Sequence, residues 1–206
     1  MHDIFLQNFL KAFVAIDPIS LIPLFAVITA DLDREKIIRL AFLMLIITSI
    51  VLTFFSIYGN IFLFFMGISL NSFKIVGGLF LLFISFEMVF EKRIERKKNL
   101  AMPIIDDNQV SNLAVFPISI PLVAGPSAIT LSVLISKDYQ HTFIDFYQQI
   151  FPIFLTLFFT SLILLFSNFI FRILNKTIIL TLQKICGLIL GALSVEYIIN
   201  GIRGFL

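Results

Sequence analysis

The sequence predicts an all-α membrane protein, with six transmembrane helices forming two inverted three-helix repeats and with helices 1 and 4 broken or kinked at proline. Three observations carry that expectation. Charged residues vanish over long stretches, segments of the first half recur in the second, and prolines interrupt two apolar segments in corresponding places.

No Asp, Glu, Lys or Arg occurs from Leu40 to Phe73, from Asn108 to Ser136 or from Phe146 to Phe171. An apolar run of about 18 residues is long enough to cross a bilayer. The chain as a whole is 59% hydrophobic and 14% charged, where a soluble domain carries about a quarter charged residues. Apolarity is continuous rather than alternating, which selects helices over a β-barrel.

In chain order, helix 1 covers Ile4–Thr29 and holds Pro18 and Pro23. Helix 2 follows at Ile38–Tyr58 and helix 3 at Ile61–Phe90, leaving Gly59 and Asn60 between them. Helix 4 is placed at Leu113–Ser136, with Pro117, Pro121, Gly125 and Pro126; helices 5 and 6 are placed at Gln149–Phe171 and Thr177–Ile202. Together they make one integral membrane domain, 1–206. Repeat 1 is 1–90, the linker is 91–112 and repeat 2 is 113–206.

Lys and Arg orient the spans. One set of ends holds Arg34, Lys36 and Arg39, then Lys92, Arg93, Arg96, Lys97 and Lys98, then Arg172, Lys176 and Lys184. The opposite set holds only Lys11, Lys74, Lys137 and Arg203. The basic set is expected in the cytoplasm, which puts both termini outside. The linker "EKRIERKKNLAMPIIDDNQVSN" is then a topology anchor and hinge between the halves, with contact to anionic lipid as its other use.

The repeats are visible in two alignments. "LNSFKIVGGL" and "LTLQKICGLI" superpose Leu70, Lys74, Ile75 and Gly77 on Leu180, Lys184, Ile185 and Gly187, an offset of 110 residues. "DPIS" and "GPSA" superpose Pro18 on Pro126 at an offset of 108. Three spans per half force the two copies into opposite orientations. Inverted repeats with interrupted helices are characteristic of secondary transporters.

Proline removes a backbone donor and clashes with the preceding turn, so unwound backbone is expected at Asp17-Pro18 and at Gly125-Pro126. Such backbone is tolerated in a membrane where protein or a watery cavity surrounds it. From Pro18 to Ala30 is 13 residues, about 20 Å of helix, which puts Asp17 inside the bilayer. Two readings of Asp17 stand together. It caps the half-helix starting at Pro18, and it offers a proton site or binds an amine beside helix N-termini that favour anionic groups.

Pro18, Ser20, Gly125, Pro126, Ser127 and Thr130 complete the candidate substrate-binding set, and Ser119 adds a further hydroxyl. Each hydroxyl also has the ordinary alternative of bonding back to its own helix. Lys74 and Lys184 are secondary candidates, with snorkelling as their structural reading. Gly77, Gly78, Gly187 and Gly191 suit close helix packing. Glu87 and Glu196 are expected at the interfaces.

Other classes are disfavoured. A net charge of +2 leaves no nucleic-acid footprint, and the single cysteine, Cys186, excludes a disulfide framework. The N-terminal stretch lacks the basic start of a cleaved signal. His2 and His141 have no second ligand at metal spacing. Neither paired carboxylates nor a nucleophile with its base stands out. No metal, cofactor or enzymatic activity is expected; the expected partners are the lipid bilayer, a small-molecule solute and a proton.

"VAIDPISLIPLF", "FKIVGGLFLLFISFEM" and "PLVAGPSAITLSVL" resemble the MarC family of bacterial multi-pass inner-membrane proteins, including its YhgN-like branch, over nearly the whole length. The family's first motif is similar to D-P-x-G-N-x-P: Asp17, Pro18 and Pro23 match, whereas Ser20 and Leu21 stand in place of glycine and asparagine. Its second is similar to A-G-P-G-A: Ala124, Gly125, Pro126 and Ala128 match, and Ser127 replaces glycine. The resemblance implies six spans in a bacterial inner membrane. Through the related SnatA-like proteins it also implies proton-coupled transport of small neutral amino acids. A membrane scaffold without transport is the alternative, and cysteines placed at Ser20 and Ser127 separate the two, because a scaffold leaves both positions dry.

Overall fold

The computed structural model describes residues 2–30, 32–100, 109–136, 139–140 and 142–206. Linker positions 101–108, Lys137 and His141 lie outside the described residues. Among the described residues all regular structure is helical. Four helices are long and apolar enough to cross a membrane, and two bent pairs bring the number of candidate spans to as many as six.

The first bent pair is α1 (His2–Ile16) and α2 (Pro18–Ile28), which meet at 43°. Asp17 N still donates to Phe13 O at 3.0 Å, so α1 runs its full course. Asp17 itself then takes left-handed angles, φ 57° and ψ 62°, and Pro18 starts α2 with the φ a helix needs and no N–H left to satisfy.

α3 (Arg34–Phe65) is one helix of 32 residues, where the sequence reading ends helix 2 at Tyr58 and starts helix 3 at Ile61. That boundary is corrected. Gly59 is a packing residue: a Cβ there would stand 2.5 Å from Val133 Cγ2, so the helix continues while the segment holding Val133 leans on it. The chain reverses after Phe65, through Gly67 at φ 68°, and Ser69 caps α4 (Leu70–Val89) by accepting from Ser72 N at 3.0 Å. Glu91, at φ 65°, then turns the chain into α5 (Lys92–Leu100).

The expected fourth helix is more broken than proline spacing alone suggests. A short α6 (Gln109–Leu113) runs into an irregular stretch, Ala114–Val123, before α7 (Pro126–Ile135). Phe116 (φ −132°, ψ 129°) and Ile120 (φ −127°, ψ 123°) are extended, each preceding a cis proline, because a residue before proline is pushed away from helical angles. The two arms of this pair meet at 64°. The next span, Phe143–Leu165, contains α8 (Phe143–Asp145), a wider-wound turn over Phe146–Ile150 and α9 (Phe151–Leu165). α10 (Ser167–Ile173) and α11 (Lys176–Arg203) complete the chain.

Packing follows a reciprocal pattern. α4 and α11 run antiparallel along their length: Asn71 meets Gly204, Ile75 meets Gly201, Gly78 meets Ser194, and Ser85 meets Gly187. α1 lies on α9 and α2 on α10, while the Ala114–Val123 stretch and α7 lie on α3. α3 and α9 also pack together, as do α1 and α7. Leu21, Phe25, Met44, Leu52, Ile118 and Leu131 fill the centre. Thr48, Thr156, Thr160 and Ser194 are buried too, and each returns its hydroxyl to a carbonyl of its own helix. Large apolar side chains such as Phe64, Phe83, Phe158 and Leu188 face outward, the surface expected of a protein whose solvent is lipid.

Candidate functional site

The two helix breaks touch. Ser127 Oγ donates to Ala15 O at 2.9 Å, satisfying a carbonyl near the end of α1. Pro18 and Pro126 both occupy first-turn positions, with Asp17 and Gly125 as the capping residues. Gly125 is required sterically, because a Cβ would stand 2.6 Å from Pro121 O. Thr130 is buried against Gly77, whose added Cβ would meet Thr130 Cγ2. Ser119 Oγ bonds back to Ala114 O at 2.5 Å. Of the hydroxyls named from sequence, Ser20 and Ser127 link the breaks to other groups, whereas Ser119 serves its own segment.

Asp17 is 2% exposed and lies at the centre of a buried ionic cluster. Its carboxylate accepts from Ser20 N at 3.4 Å and from the Ser20 hydroxyl. Lys97 of α5 donates to Ser20 Oγ at 2.7 Å and to Asp17 O at 3.3 Å, with its Nζ 3.5 Å from Asp17 Oδ2. Arg93, one turn earlier on α5, brings Nε to 3.6 Å from Asp17 Oδ2 and Nη1 to 3.8 Å from Glu87 Oε2. Arg96 closes the set on Glu87 Oε1 at 3.0 Å.

Three cations therefore meet two carboxylates. Among the described residues Arg93 Nε and Glu87 Oε2 find no hydrogen-bond partner, and neither do the two amide atoms of fully buried Gln183 on α11. Buried charges occur with partners, and here the partners of Asp17 come from the start of the linker. The linker, expected as a topology anchor and hinge, also packs inward: Arg93 and Lys97 are buried and α5 rests on α2. Glu87, expected at an interface, is likewise covered, because α5 folds back over the end of α4. Glu196 remains exposed and accepts from Asn200 Nδ2 at 2.8 Å.

Lys74 and Lys184 occupy opposite ends of the α4–α11 pair. Lys74 donates to Asn71 Oδ1 at 3.2 Å, and Lys184 pairs with Glu91 Oε1 at 2.7 Å, which holds the Glu91 carboxyl below its ordinary range. Neither lysine contacts Asp17. Lys74 instead lines a polar cavity of about 570 Å³ with Lys11, Asn8, Gln148, Gln149 and Asn200. At the opposite end a cavity of about 310 Å³ lies between Pro23 of α2, Ile94 and Glu95 of α5, and Lys176 and Ile179 of α11. Among the described residues no group of three or more His, Cys, Asp or Glu is placed to hold a metal ion.

Burial pulls the Lys97 ammonium down to about 7; Asp17 opposes this, and Arg93 and Arg96 add to it. Burial lowers Arg93 as well, with Asp17 again opposing. Between about 7 and the ordinary lysine range the unfolded chain holds a proton that the folded chain has released, so stability increases with pH across that window. Thermal unfolding in detergent is expected to shift upward from about pH 7 to about pH 9. Lys97→Met should flatten that slope, and an unchanged slope would contradict this origin.

The sequence signal for the missed partners lies in the linker itself. Arg93 and Lys97 are four residues apart, and such residues share a helix face. Asp17, a carboxylate expected inside the bilayer, is the other half of that signal.

The model of the MarC family, described as "MarC family integral membrane protein", matches residues 2–206. A UPF0056 membrane protein of Aquifex aeolicus is 30% identical over 203 residues, covering 98% of this chain and 94% of the relative. One from Methanocaldococcus jannaschii is 34% identical over 208 residues, covering 98% of each. A third, from Buchnera aphidicola subsp. Acyrthosiphon pisum, is 31% identical over 207 residues, covering 97% and 92%. No solved structure matches the chain.

Proposed function

The chain belongs to the MarC family of integral membrane proteins, and we propose that it is a secondary transporter of a small polar metabolite, a neutral amino acid, coupled to protons. The carrying observation is Asp17, an acid 2% exposed at a helix interruption and tied to the matching interruption through Ala15 and Ser127. An acid held at membrane depth has a large energetic cost and marks ion and substrate paths.

The reading includes six spans in two inverted repeats. Reciprocal packing supports it: the first broken span lies against the fifth, the fourth against the second, and α4 against α11. Exchanging the two halves leaves that set of neighbours unchanged. The polar cavity at the Lys74 end and the mainly apolar one at the α5 end, where Glu91, Glu95 and Lys176 supply the charges, would be the outer and inner vestibules of alternating access, with both termini outside a bacterial inner membrane. The two halves would rock about the contact between the breaks.

Purified protein in proteoliposomes is expected to move glycine or L-alanine when a proton gradient is imposed. Asp17→Asn should slow that flux by about tenfold or more, a barrier of about 1.4 kcal/mol or more. Absence of any neutral amino acid flux under the gradient would defeat the amino-acid reading.

A further inference from the structure

Lys97 Nζ is surrounded by three oxygen atoms, Ser20 Oγ at 2.7 Å, Asp17 O at 3.3 Å and Asp17 Oδ2 at 3.5 Å. A primary ammonium has three donors and no acceptor, and these three acceptors match it in number and kind. Ser20 accepts from the lysine and donates to the Asp17 carboxylate, so the acceptors form one connected group.

The side chain filling it belongs to α5, which is not one of the candidate spans. α5 is joined to α4 through the left-handed turn at Glu91 and has the polar sequence KRIERKKNL. Positive-inside topology needs Lys97 near the membrane surface, not 3% exposed against an acid. On its other side Ile94 and Glu95 form one wall of the 310 Å³ cavity, so α5 stands between that cavity and Asp17. The groups facing Lys97 are Asp17 and Ser20 at the break and Arg93 on its own helix; Arg93 and Arg96 are both held by Glu87 of α4.

We propose that Asp17 and Ser20 form a primary-ammonium site, that Lys97 occupies it as an internal stand-in, and that α5 is a lid displaced when the amino group of a solute takes the place of the lysine. The lid step rests on the transport reading above, whereas the ammonium site does not. Displacement exposes Asp17 to the cavity and frees Lys97 and Arg93 to meet an anionic end of the same solute. A zwitterion, with no net charge, is thus inserted between Asp17 and the two cations of α5, and the summed charge of the group is unchanged.

The test uses full-length protein in detergent. Lys97→Ala is expected to show a saturable upward shift in unfolding temperature with methylammonium and ethylammonium, because a ligand that binds only the folded state stabilises it. Tetramethylammonium, which has no N–H, should give none, and Asp17→Asn/Lys97→Ala should not respond. Hydrogen exchange on the unmodified protein supplies a readout independent of that variant's folding. Saturating ethylammonium or glycine should accelerate exchange in α5 by about tenfold, the signature of local opening, while acetate and tetramethylammonium leave it unchanged and α11 stays protected. Absence of both responses overturns the proposal, as does an equal response to tetramethylammonium. Ammonium rescue without amino acid flux sustains the site and defeats the transport reading; flux with neither response does the reverse.

Discussion

Alanine at position 17 is expected to destabilise the protein by about 3–5 kcal/mol, because removing one member of a buried ion pair strands the other in a medium that cannot solvate it. Here Lys97, 3% exposed, loses its carboxylate partner, and Arg93, 4% exposed, keeps only Glu87. Two smaller losses add to this. α2 loses the side chain that accepts from Ser20 N, a cap worth about 1 kcal/mol. Alanine must also hold the left-handed angles of Asp17, at a further 1–2 kcal/mol or so. Asp17→Asn keeps the angles and the cap and isolates the charge, so it should fall between the parent and Asp17→Ala. Asp17→Asn/Lys97→Met should recover part of the loss by removing a stranded charge, and adding Arg93→Met should recover more. Denaturant unfolding gives the ranking, and limited proteolysis within α5 shows whether the lid detaches first. A double variant no more stable than Asp17→Asn would mean that Lys97 and Asp17 are not energetically coupled. The same double variant serves as the control for flux, because it separates a missing proton site from a misplaced lid.

The parts legible in the sequence are those set by solvent and by local chemistry. Hydrocarbon tolerates few charges, so the charge-free stretches marked apolar segments, but Leu40–Phe73 runs through the turn between α3 and α4 and could not place their boundary. Pro18 and Pro126 break their helices through their own ring geometry, so both interruptions could be named. Gly59 was different: the same residue that ends a helix also lets another approach, and only Val133, 74 positions away in the chain, decides between them. The linker was harder still. Its basic residues satisfy the positive-inside rule wherever they point, and their inward turn depends on Asp17 and Glu87, which the linker sequence does not contain. Lys74 and Lys184 show a third case. Their equivalence by repeat and their placement at opposite ends were both visible, but their surroundings were not: one lies beside a polar cavity and the other on Glu91.

Gly78→Ala and Gly201→Ala are each expected to cost about 1–3 kcal/mol, the range for forcing an extra carbon into a packed interior. At Gly78 a Cβ would lie 2.6 Å from Ile198 Cγ1 and 2.8 Å from Ser194 O; at Gly201 it would lie 2.6 Å from Ile75 Cγ1 and 2.8 Å from Asn71 O. An isoleucine tip can rotate away, but a helical carbonyl cannot, so α4 and α11 must separate. In lipid no hydrophobic force pulls them back, because association depends on close van der Waals packing. Once one substitution has pushed the helices apart the second meets less resistance, so the double variant should cost less than the sum of the two singles. Gly67→Ala supplies the contrast, with nothing within 4 Å of its Cβ and only the strain of φ 68° to bear, about 1 kcal/mol. Thermal unfolding of the four variants in detergent measures the pattern. Equal, additive effects at 78, 201 and 67 would mean that backbone strain and not interhelical contact sets the cost, and that α4 and α11 do not form a tight pair.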